Sequence, residues 1–101
     1  MEYEVYILRC ENGSLYTGIA KDSFERFEKH KTGKGAKYTR MFKPIKIELI
    51  LRCTNRIEAS KIEKYIKSKT KLEKENYIKE TNSLEKIILN SIKIKVSQKK
   101  F

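Results

Sequence analysis

The fold is decided by residues 5–19, which read VYILRCENGSLYTGI. Two apolar, strand-like runs flank a polar segment that contains Asn12 and Gly13. An Asn-Gly pair between apolar runs is the strongest short-range hairpin signal, because both residues tolerate the positive φ angles of a tight turn. The pattern therefore predicts two antiparallel strands, over about Tyr3–Cys10 and Ser14–Ala20.

Further along the chain, four segments carry helix or strand patterns. Capping-box patterns predict three helices that begin after Asp22, Asn55 and Asn82, and the first two run to about Lys31 and Lys69. Residues 45–51 alternate and then become continuously apolar, which predicts a strand buried on both faces. The order β-β-α-β-α-α predicts an α+β fold with a small three-stranded antiparallel sheet flanked by helices.

Three other segments give weaker patterns. Residues 37–46 are predicted to form a basic connection, because Pro44 keeps its part of the chain out of a regular element. Residues 72–78 have a faint helical pattern. Residues 93–101 are β-branched and then lysine-rich, and they are left unassigned.

The length of 101 residues is enough for one domain with a single modest core, so residues 1–101 are assigned to one domain. Hydrophobic residues make up 39% and charged residues 37%, a balance that favours a folded domain over a disordered tail. No apolar run approaches the length of a membrane span, and residues 1–4 lack the features of a signal peptide. A cytoplasmic protein without a membrane partner is expected.

The charge is strongly one-sided. The formal net charge is +11, and residues 29–46 hold seven basic residues and one histidine but no acid. Solvated helix faces normally mix charges of both signs, so this stretch predicts a polyanionic partner, of which nucleic acid is the commonest. The alternative is that a lysine-rich genome raises the lysine count.

The two cysteines, Cys10 and Cys53, each end an apolar run. Two cysteines and a single histidine do not complete a structural zinc site. Buried, reduced thiols are the better interpretation.

A group of polar residues could carry chemistry. Arg26 and His30 are spaced i and i+4 on the first predicted helix and could share an edge that faces the hairpin, with Phe24 and Phe27 towards the core. A guanidinium can hold two phosphate oxygens at once. Taken singly, the alternatives are a surface salt bridge for Arg26 and a satisfied polar contact for His30.

Glu63 lies at the flank of an apolar stripe in the next predicted helix, where a partly buried carboxylate could face the sheet. One carboxylate with several waters is enough to hold Mg²⁺. Glu58 projects closer to the apolar side, but it already has a role as the capping-box glutamate.

Tyr6 and Tyr16 could also take part in the chemistry. The alternative is that they only pack in the core, since tyrosine is common in strands. Gly18 would share a face with Tyr16, and a glycine there would leave open space beside the phenol for a substrate.

These residues, in this order, resemble the GIY-YIG nuclease superfamily. The matching positions are Val5-Tyr6-Ile7-Leu8, Tyr16-Thr17-Gly18, Arg26 with His30, and Glu63 with Ile66-Lys67. Residues 30–40 followed by Pro44 resemble the small stand-alone bacterial members, which are related to the catalytic domain of the excinuclease C subunit. The resemblance covers about residues 3–78 and leaves a basic C-terminal helix and tail over about residues 82–101.

Three positions depart from the family pattern. Glu4 replaces the first glycine of the motif, Thr17 replaces the isoleucine of the second, and Asn76 lies one position from the commonest spacing of a late asparagine. A role for Asn76 is therefore left open.

The resemblance implies an endonuclease that uses one Mg²⁺ or Mn²⁺ ion, held by Glu63, and no small-molecule cofactor. It implies Tyr6 as the general base or water-orienting group, with a pKa lowered by a nearby cation, for which Arg26, Lys21 and the metal are available. Tyr16 would bind the water or the phosphate, Arg26 would stabilise phosphoryl charge, and His30 would bind phosphate or share proton transfer.

The expected substrate is DNA rather than RNA, cut with little sequence specificity, in DNA repair or processing. The expected nucleic-acid contacts are Gly18, Lys21, Lys34, Lys37, Tyr38 and Arg40. The main alternative is a non-catalytic nucleic-acid-binding module that retains the fold. A basic structural protein of a ribonucleoprotein would leave the pairing of Arg26 with Glu63 unexplained. The oligomeric state is not predicted.

Overall fold

The structure, a computed structural model, describes residues 2–101. These residues form an α+β fold in which one four-stranded antiparallel sheet is flanked by helices. The strands are β1 (Tyr3–Cys10), β2 (Leu15–Ala20), β3 (Pro44–Cys53) and β4 (Ser97–Gln98). The helices are α1 (Ser23–Lys31), α2 (Lys37–Met41), α3 (Arg56–Lys67), α4 (Lys71–Lys79) and α5 (Thr81–Ile92).

The predicted hairpin is confirmed; its first strand, β1, is an inner strand of the sheet and β2 is an edge strand. The strand order is β2-β1-β3-β4, and Gly13 takes the turn at a φ of 84°. In the register of the hairpin, Tyr6 lies opposite Gly18 and Leu8 lies opposite Tyr16. Because β1 has a neighbour on each side and helices on both faces, nearly all of its side chains are buried.

The alternating side chains of β1 separate two cores. Val5 and Ile7 face the larger core, which contains apolar residues of β3, α3, α4 and α5. Tyr6 and Leu8 face the opposite side, where they pack with Ile47, Ile50 and the partly buried Phe27 of α1. Helix α1 therefore lies over a much smaller apolar layer than α3, α4 and α5 do.

The prediction for residues 37–46 was wrong in two respects. Lys37–Met41 forms one short helix, α2, and β3 already begins at Pro44. Proline is tolerated there because it is the first residue of the strand, where a missing N–H removes little from the ladder. The segment left unassigned, residues 93–101, contributes the fourth strand.

The helix ends also differ from the predicted capping boxes. Asp22 and Asn55 do accept backbone hydrogen bonds at the starts of α1 and α3. The reciprocal capping box, however, joins Thr70 and Glu73 in α4, where the sequence pattern is faint. Helix α5 begins at Thr81, before the predicted Asn82, and its cap residue makes no side-chain bond.

Two further side chains correct or complete the sequence prediction. Phe24 was expected in the core, but its side chain is 40% exposed. The two cysteines are buried free thiols, as predicted. No helix in residues 2–101 is long and apolar enough to span a membrane.

Candidate active site

Tyr6 and His30 form the buried centre of the site. The Tyr6 oxygen lies 2.8 Å from Nε2 of His30, and Nδ1 of His30 lies 2.7 Å from Oγ1 of Thr39. The Thr39 hydroxyl donates its proton to the carbonyl of Ala36 at 2.9 Å, so it must accept from Nδ1–H. Nε2 of a neutral His30 is then the acceptor, and Tyr6 donates to it.

Burial shifts the pKa values of this pair apart. Burial, followed by the neighbouring Tyr16, raises the pKa of Tyr6 to about 12, and Arg26 opposes this shift. Burial and the charge of Arg26 lower the pKa of His30 to about 4. Both groups are therefore neutral near pH 7, since Arg26 lowers the pKa of Tyr6 but does not offset the effect of burial. The desolvation of the phenol outweighs the one guanidinium beside it.

Two glycines make room for these rings. A Cβ atom at Gly18 would overlap the Tyr6 phenol, and a Cβ atom at Gly35 would overlap the His30 imidazole. The space beside Gly18 is thus filled by Tyr6 and is not open to a substrate, which corrects the sequence prediction. Glycine is needed at both positions because ring atoms approach the backbone closely.

Tyr16 covers the buried pair from the outer side. Its ring centroid lies 6.5 Å from that of Tyr6 and 5.3 Å from that of His30. The Tyr38 ring stacks on Tyr16 at 6.1 Å, and its hydroxyl donates to Ser14 Oγ at 2.6 Å. The two hairpin tyrosines are therefore close in space, as predicted, and Tyr38, which is 37% exposed, is the outermost ring of the cluster.

Arg26 and Glu63 approach the same phenol from two helices. Arg26, on α1, lies close enough to Tyr6 to lower its pKa, and the negative charge of Glu63, on α3, raises it. The Glu63 carboxylate is 25% exposed and pairs with Lys67 at 3.4 Å. The Lys67 ammonium lies 5.9 Å from the centroid of the Tyr16 ring. All five predicted catalytic and metal residues are thus brought together around Tyr6.

The donor set at this site fits a weakly liganded hard cation. In the part of the chain that the structure describes, no group of three or more histidine, cysteine or carboxylate side chains is placed to hold a metal. A lone, partly exposed carboxylate such as Glu63 can still hold Mg²⁺ or Mn²⁺, since such ions keep several waters. The residues present therefore fit an ion bound through one protein oxygen.

The predicted nucleic-acid contacts differ in exposure, and Gly18 is buried against the Tyr6 ring, which corrects the prediction for that residue. Lys21, Lys34, Lys37 and Arg40 are exposed. A cleft of about 250 Å³ is lined by three basic residues and two acidic ones: Lys21, Arg26, Lys29, Asp22 and Glu25. Asn76 is exposed on α4, and no hydrogen bond in residues 2–101 joins its side chain to the site.

Sequence reasoning missed two residues that shape the site, Gly35 and Thr39. Thr39 is 1% exposed and fixes the tautomer of His30, while Gly35 provides the space for its ring. Both lie within the segment 30–40 that the family resemblance singles out. Both residues could have been predicted from the sequence, because Gly35 is a small residue and Thr39 carries a hydroxyl a few positions after His30.

The fold and the site define a GIY-YIG catalytic domain. The sequence profile of that family matches residues 2–87, and the chain belongs to the family.

The similar proteins share a further group name. UPF0213 protein FN1575 of Fusobacterium nucleatum is 47% identical over 98 residues, which cover 97% of this chain and 98% of that protein. UPF0213 protein SERP0126 of Staphylococcus epidermidis is 46% identical over 76 residues, which cover 75% of this chain and 93% of that protein. The solution NMR structure of the UPF0213 protein BH0048 from Bacillus halodurans matches with a TM-score of 0.51 and 38% identity, covering 78% of this chain and 84% of that one. These relatives are small, as the family resemblance predicts.

Proposed function

We propose that the protein is a divalent-metal-dependent endonuclease that hydrolyses phosphodiester bonds of DNA, with little sequence specificity, in DNA repair or processing. Membership of the GIY-YIG family supports a nuclease. The observation that carries the proposal is the hydrogen-bonded chain from Tyr6 through His30 to Thr39, with Arg26 and Glu63 beside the same phenol.

Tyr6 acts as the general base through His30. A phenol with a pKa of about 12 is almost fully protonated at neutral pH, so it cannot act as a pre-formed phenolate. Its oxygen keeps lone pairs beyond the bond that it donates to His30. It can therefore take a proton from an attacking water while its own proton passes to Nε2 of His30, and Thr39 holds Nδ1–H throughout.

The half-buried residues Tyr16, Arg26 and Glu63 are the ones that contact the substrate directly. Tyr6 and His30 are 1% and 0% exposed, whereas Tyr16, Arg26 and Glu63 remain partly open to solvent. The Arg26 guanidinium holds the phosphoryl oxygens and stabilises their developing charge. The Tyr16 hydroxyl orients the water or the phosphate over the buried pair.

Glu63 supplies the protein ligand for Mg²⁺ or Mn²⁺. The carboxylate of Glu63 would hold the ion, which would supply stabilisation of negative charge on the scissile phosphate and on the leaving oxygen. The same carboxylate pairs with Lys67 at 3.4 Å.

The exposed basic residues provide affinity without sequence selection. Lys21, Lys34, Lys37 and Arg40 bind the phosphate backbone, and the partly exposed Tyr38 ring adds a stacking surface. Phosphate contacts carry no base information, so binding should fall steeply with salt and vary little with sequence.

The test is cleavage of single-stranded, duplex and branched DNA, with matched RNA, in the presence of Mg²⁺ or Mn²⁺. Arg26→Ala should lower the rate by about 10²-fold or more, as expected for loss of a group that stabilises transition-state charge. Glu63→Gln should abolish cleavage at low metal concentration. Glu58→Gln, on the same helix, is the control and should retain activity. Cleavage that persists undiminished in both Arg26→Ala and Glu63→Gln would contradict the mechanism.

The second candidate function is a non-catalytic nucleic-acid-binding module. The burial and raised pKa of Tyr6 favour it, because both also suit a phenol that only packs the core. It predicts salt-dependent DNA binding with no cleavage in any divalent metal. Turnover that is lost in Glu63→Gln would eliminate it.

A further inference from the structure

The C-terminal residues 97–101 form a strap across the open edge of the sheet. Ser97 and Gln98 pair with Arg52 and Leu51 of β3, and the Lys99 N–H donates to the Ile50 carbonyl at 2.8 Å. These backbone bonds fix the direction of the Lys99 side chain. It points over the face of the sheet that carries Tyr6, because its ammonium reaches Glu4 of β1.

The Glu4 carboxylate joins the strap to α1. Lys99 Nζ lies 3.0 Å from Glu4 Oε2, and the two side chains are 22% and 7% exposed. The other carboxylate oxygen accepts a hydrogen bond of 2.9 Å from the N–H of Ser23, the first residue of α1. Burial opposes ionisation of Glu4, but the bonds from Ser23 and Lys99 outweigh it and hold the pKa of the carboxyl below its usual value.

Aromatic contacts join the same two segments. The Phe101 ring packs edge-on against Phe24 of α1, with centroids 5.6 Å apart and planes at 86°. The Lys99 ammonium lies 4.9 Å from the centroid of the Phe24 ring. This explains why Phe24 faces outward: it is the surface of α1 that receives the strap.

Helix α1 is thus anchored to β1 at both ends. The buried residues of α1 are Ser23 and His30, which bond to Glu4 and Tyr6 respectively. Glu4 and Tyr6 are two residues apart on one face of β1, and Arg26 lies between the two anchors on the helix. A shift at the Glu4 end would therefore displace Arg26 and tilt His30.

We propose that the C-terminal strap positions α1 for catalysis, and that Lys99 and Glu4 are positioning residues which act on Arg26 and His30. The proposal rests on the proposed nuclease function. Glu4 stands where the motif of the resemblance has a glycine, and a glycine could make neither contact.

The experiment compares Lys99→Ala with Lys100→Ala. Lys100 is the neighbouring exposed lysine, so its removal costs the same charge without touching Glu4. Because the chain has one histidine, ¹⁵N-histidine labelling reports on the His30 imidazole alone. The imidazole shifts of the free protein and single-turnover cleavage are measured for both variants and for Lys99→Arg.

Lys99→Ala should move the His30 shifts and lower the single-turnover rate about tenfold, since small misplacements of catalytic groups have effects of this size or larger. KM should change no more than in Lys100→Ala. Lys99→Arg should restore both properties, because arginine keeps the ion pair. Equal shifts and equal rates in Lys99→Ala and Lys100→Ala would overturn the proposal, and so would altered shifts with an unaltered rate.

Two further outcomes need separate treatment: a wild-type protein without cleavage activity, and a Lys99→Ala variant that does not fold. If the wild-type protein cleaves no DNA, the proposed nuclease function fails; the His30 shifts, measured without substrate, then still decide whether the strap positions α1. If Lys99→Ala does not fold, Phe101→Ala removes the contact with Phe24 without a change of charge. The Phe101→Ala variant should move the His30 shifts in the same direction by a smaller amount. Unchanged shifts would overturn the proposal that the strap positions α1.

Discussion

The two faces of the central sheet are built differently, although the same strand supplies both. On one face, Val5 and Ile7 pack into a large apolar core with α3, α4 and α5. On the other face, a thinner apolar layer is supplemented by two hydrogen bonds: the Ser23 N–H at the start of α1 donates to Glu4, and Tyr6 donates to His30 near the end of α1. The apolar face stabilises the domain, while the polar face fixes the geometry of chemical groups.

The difference has a physical cause. Apolar contacts are non-directional, so many arrangements of similar volume stabilise a core almost equally well. Hydrogen bonds require a distance and an angle, and a buried polar group left without a partner is destabilising. A helix held by such bonds at both ends has one preferred position on the sheet, which is what a catalytic site requires.

The largest effect is expected on the apolar face. Ile88, on α5, is fully buried in the larger core, on the side of the sheet opposite Tyr6, so Ile88→Ala should lower the free energy of unfolding by about 2–5 kcal/mol. Below its melting temperature, this variant should keep the wild-type cleavage rate and the wild-type His30 NMR shifts. Urea denaturation measures the free energy of unfolding. Altered His30 shifts in the folded variant would show that the two faces of the sheet are not independent.

The next effect is the acid sensitivity of the polar face. The pKa of His30 is about 4 in the folded protein and 6.5 in its ordinary state, because burial and Arg26 disfavour the charged form beside Tyr6, Tyr16 and Thr39. The unfolded chain therefore binds the proton first as the pH falls. Stability contributed by neutral His30 is full above pH 6.5 and is lost as the pH falls from 6.5 towards 4, by at most about 3 kcal/mol.

Unfolding free energies at pH 7.5 and pH 5 measure this loss. His30→Gln is the matched control, since glutamine keeps a donor and an acceptor but does not titrate in this range. The variant should be less stable at pH 7.5 and should lose less on going to pH 5. A wild-type protein with equal stability at both values would show that His30 is not held neutral by the fold.

A smaller effect is expected where the backbone meets Tyr6. Gly18→Ala places a methyl group against the phenol, which should lower the unfolding free energy by about 1–3 kcal/mol and displace the Tyr6 oxygen from His30. In a Tyr6→Phe background the same substitution should cost less, because one of the overlapping atoms is gone. A double-mutant cycle by urea denaturation measures this coupling, and additive effects would argue against the close approach.

The smallest effect is expected at Thr39. Thr39→Val keeps the volume but removes the acceptor of His30 Nδ1–H, which should lower stability by about 1–2 kcal/mol and release the fixed tautomer. Thr39→Ser keeps the hydroxyl and should preserve the tautomer. Imidazole ¹⁵N shifts distinguish Nδ1–H from Nε2–H directly, and a valine variant with an unchanged tautomer would mean that Thr39 does not set it.

Prediction from sequence succeeded where the interactions are local. The Asn12-Gly13 turn, the alternation along Val5–Leu8 and the cap at Asp22 each depend on a few neighbouring residues, and the structure confirms all three. The spacing of Arg26 and His30 on one helix also follows from local geometry. These features are enough to bring the five predicted site residues together once the hairpin and two helices pack.

Prediction failed where a residue depends on partners far along the chain. Pro44 begins a strand because it pairs with Cys10 of β1. Cys10 is 34 positions earlier in the sequence, so the pairing is not visible in the residues next to Pro44. Ser97–Gln98 forms β4 because one edge of β3 is not paired with β1 and is available for a further strand. No local pattern in either segment reports on these partners.

The sequence by itself determined the hairpin, the helical spacing and the set of side chains that could act on a phosphate. The tertiary structure alone decided that Tyr6 fills the space beside Gly18, that Thr39 orients His30, and that Lys99 reaches Glu4. It also decided that the net pKa shift of Tyr6 is upward, because burial outweighs the lowering by Arg26. Desolvation depends on every atom that surrounds a group, and residue spacing along the chain does not contain that information.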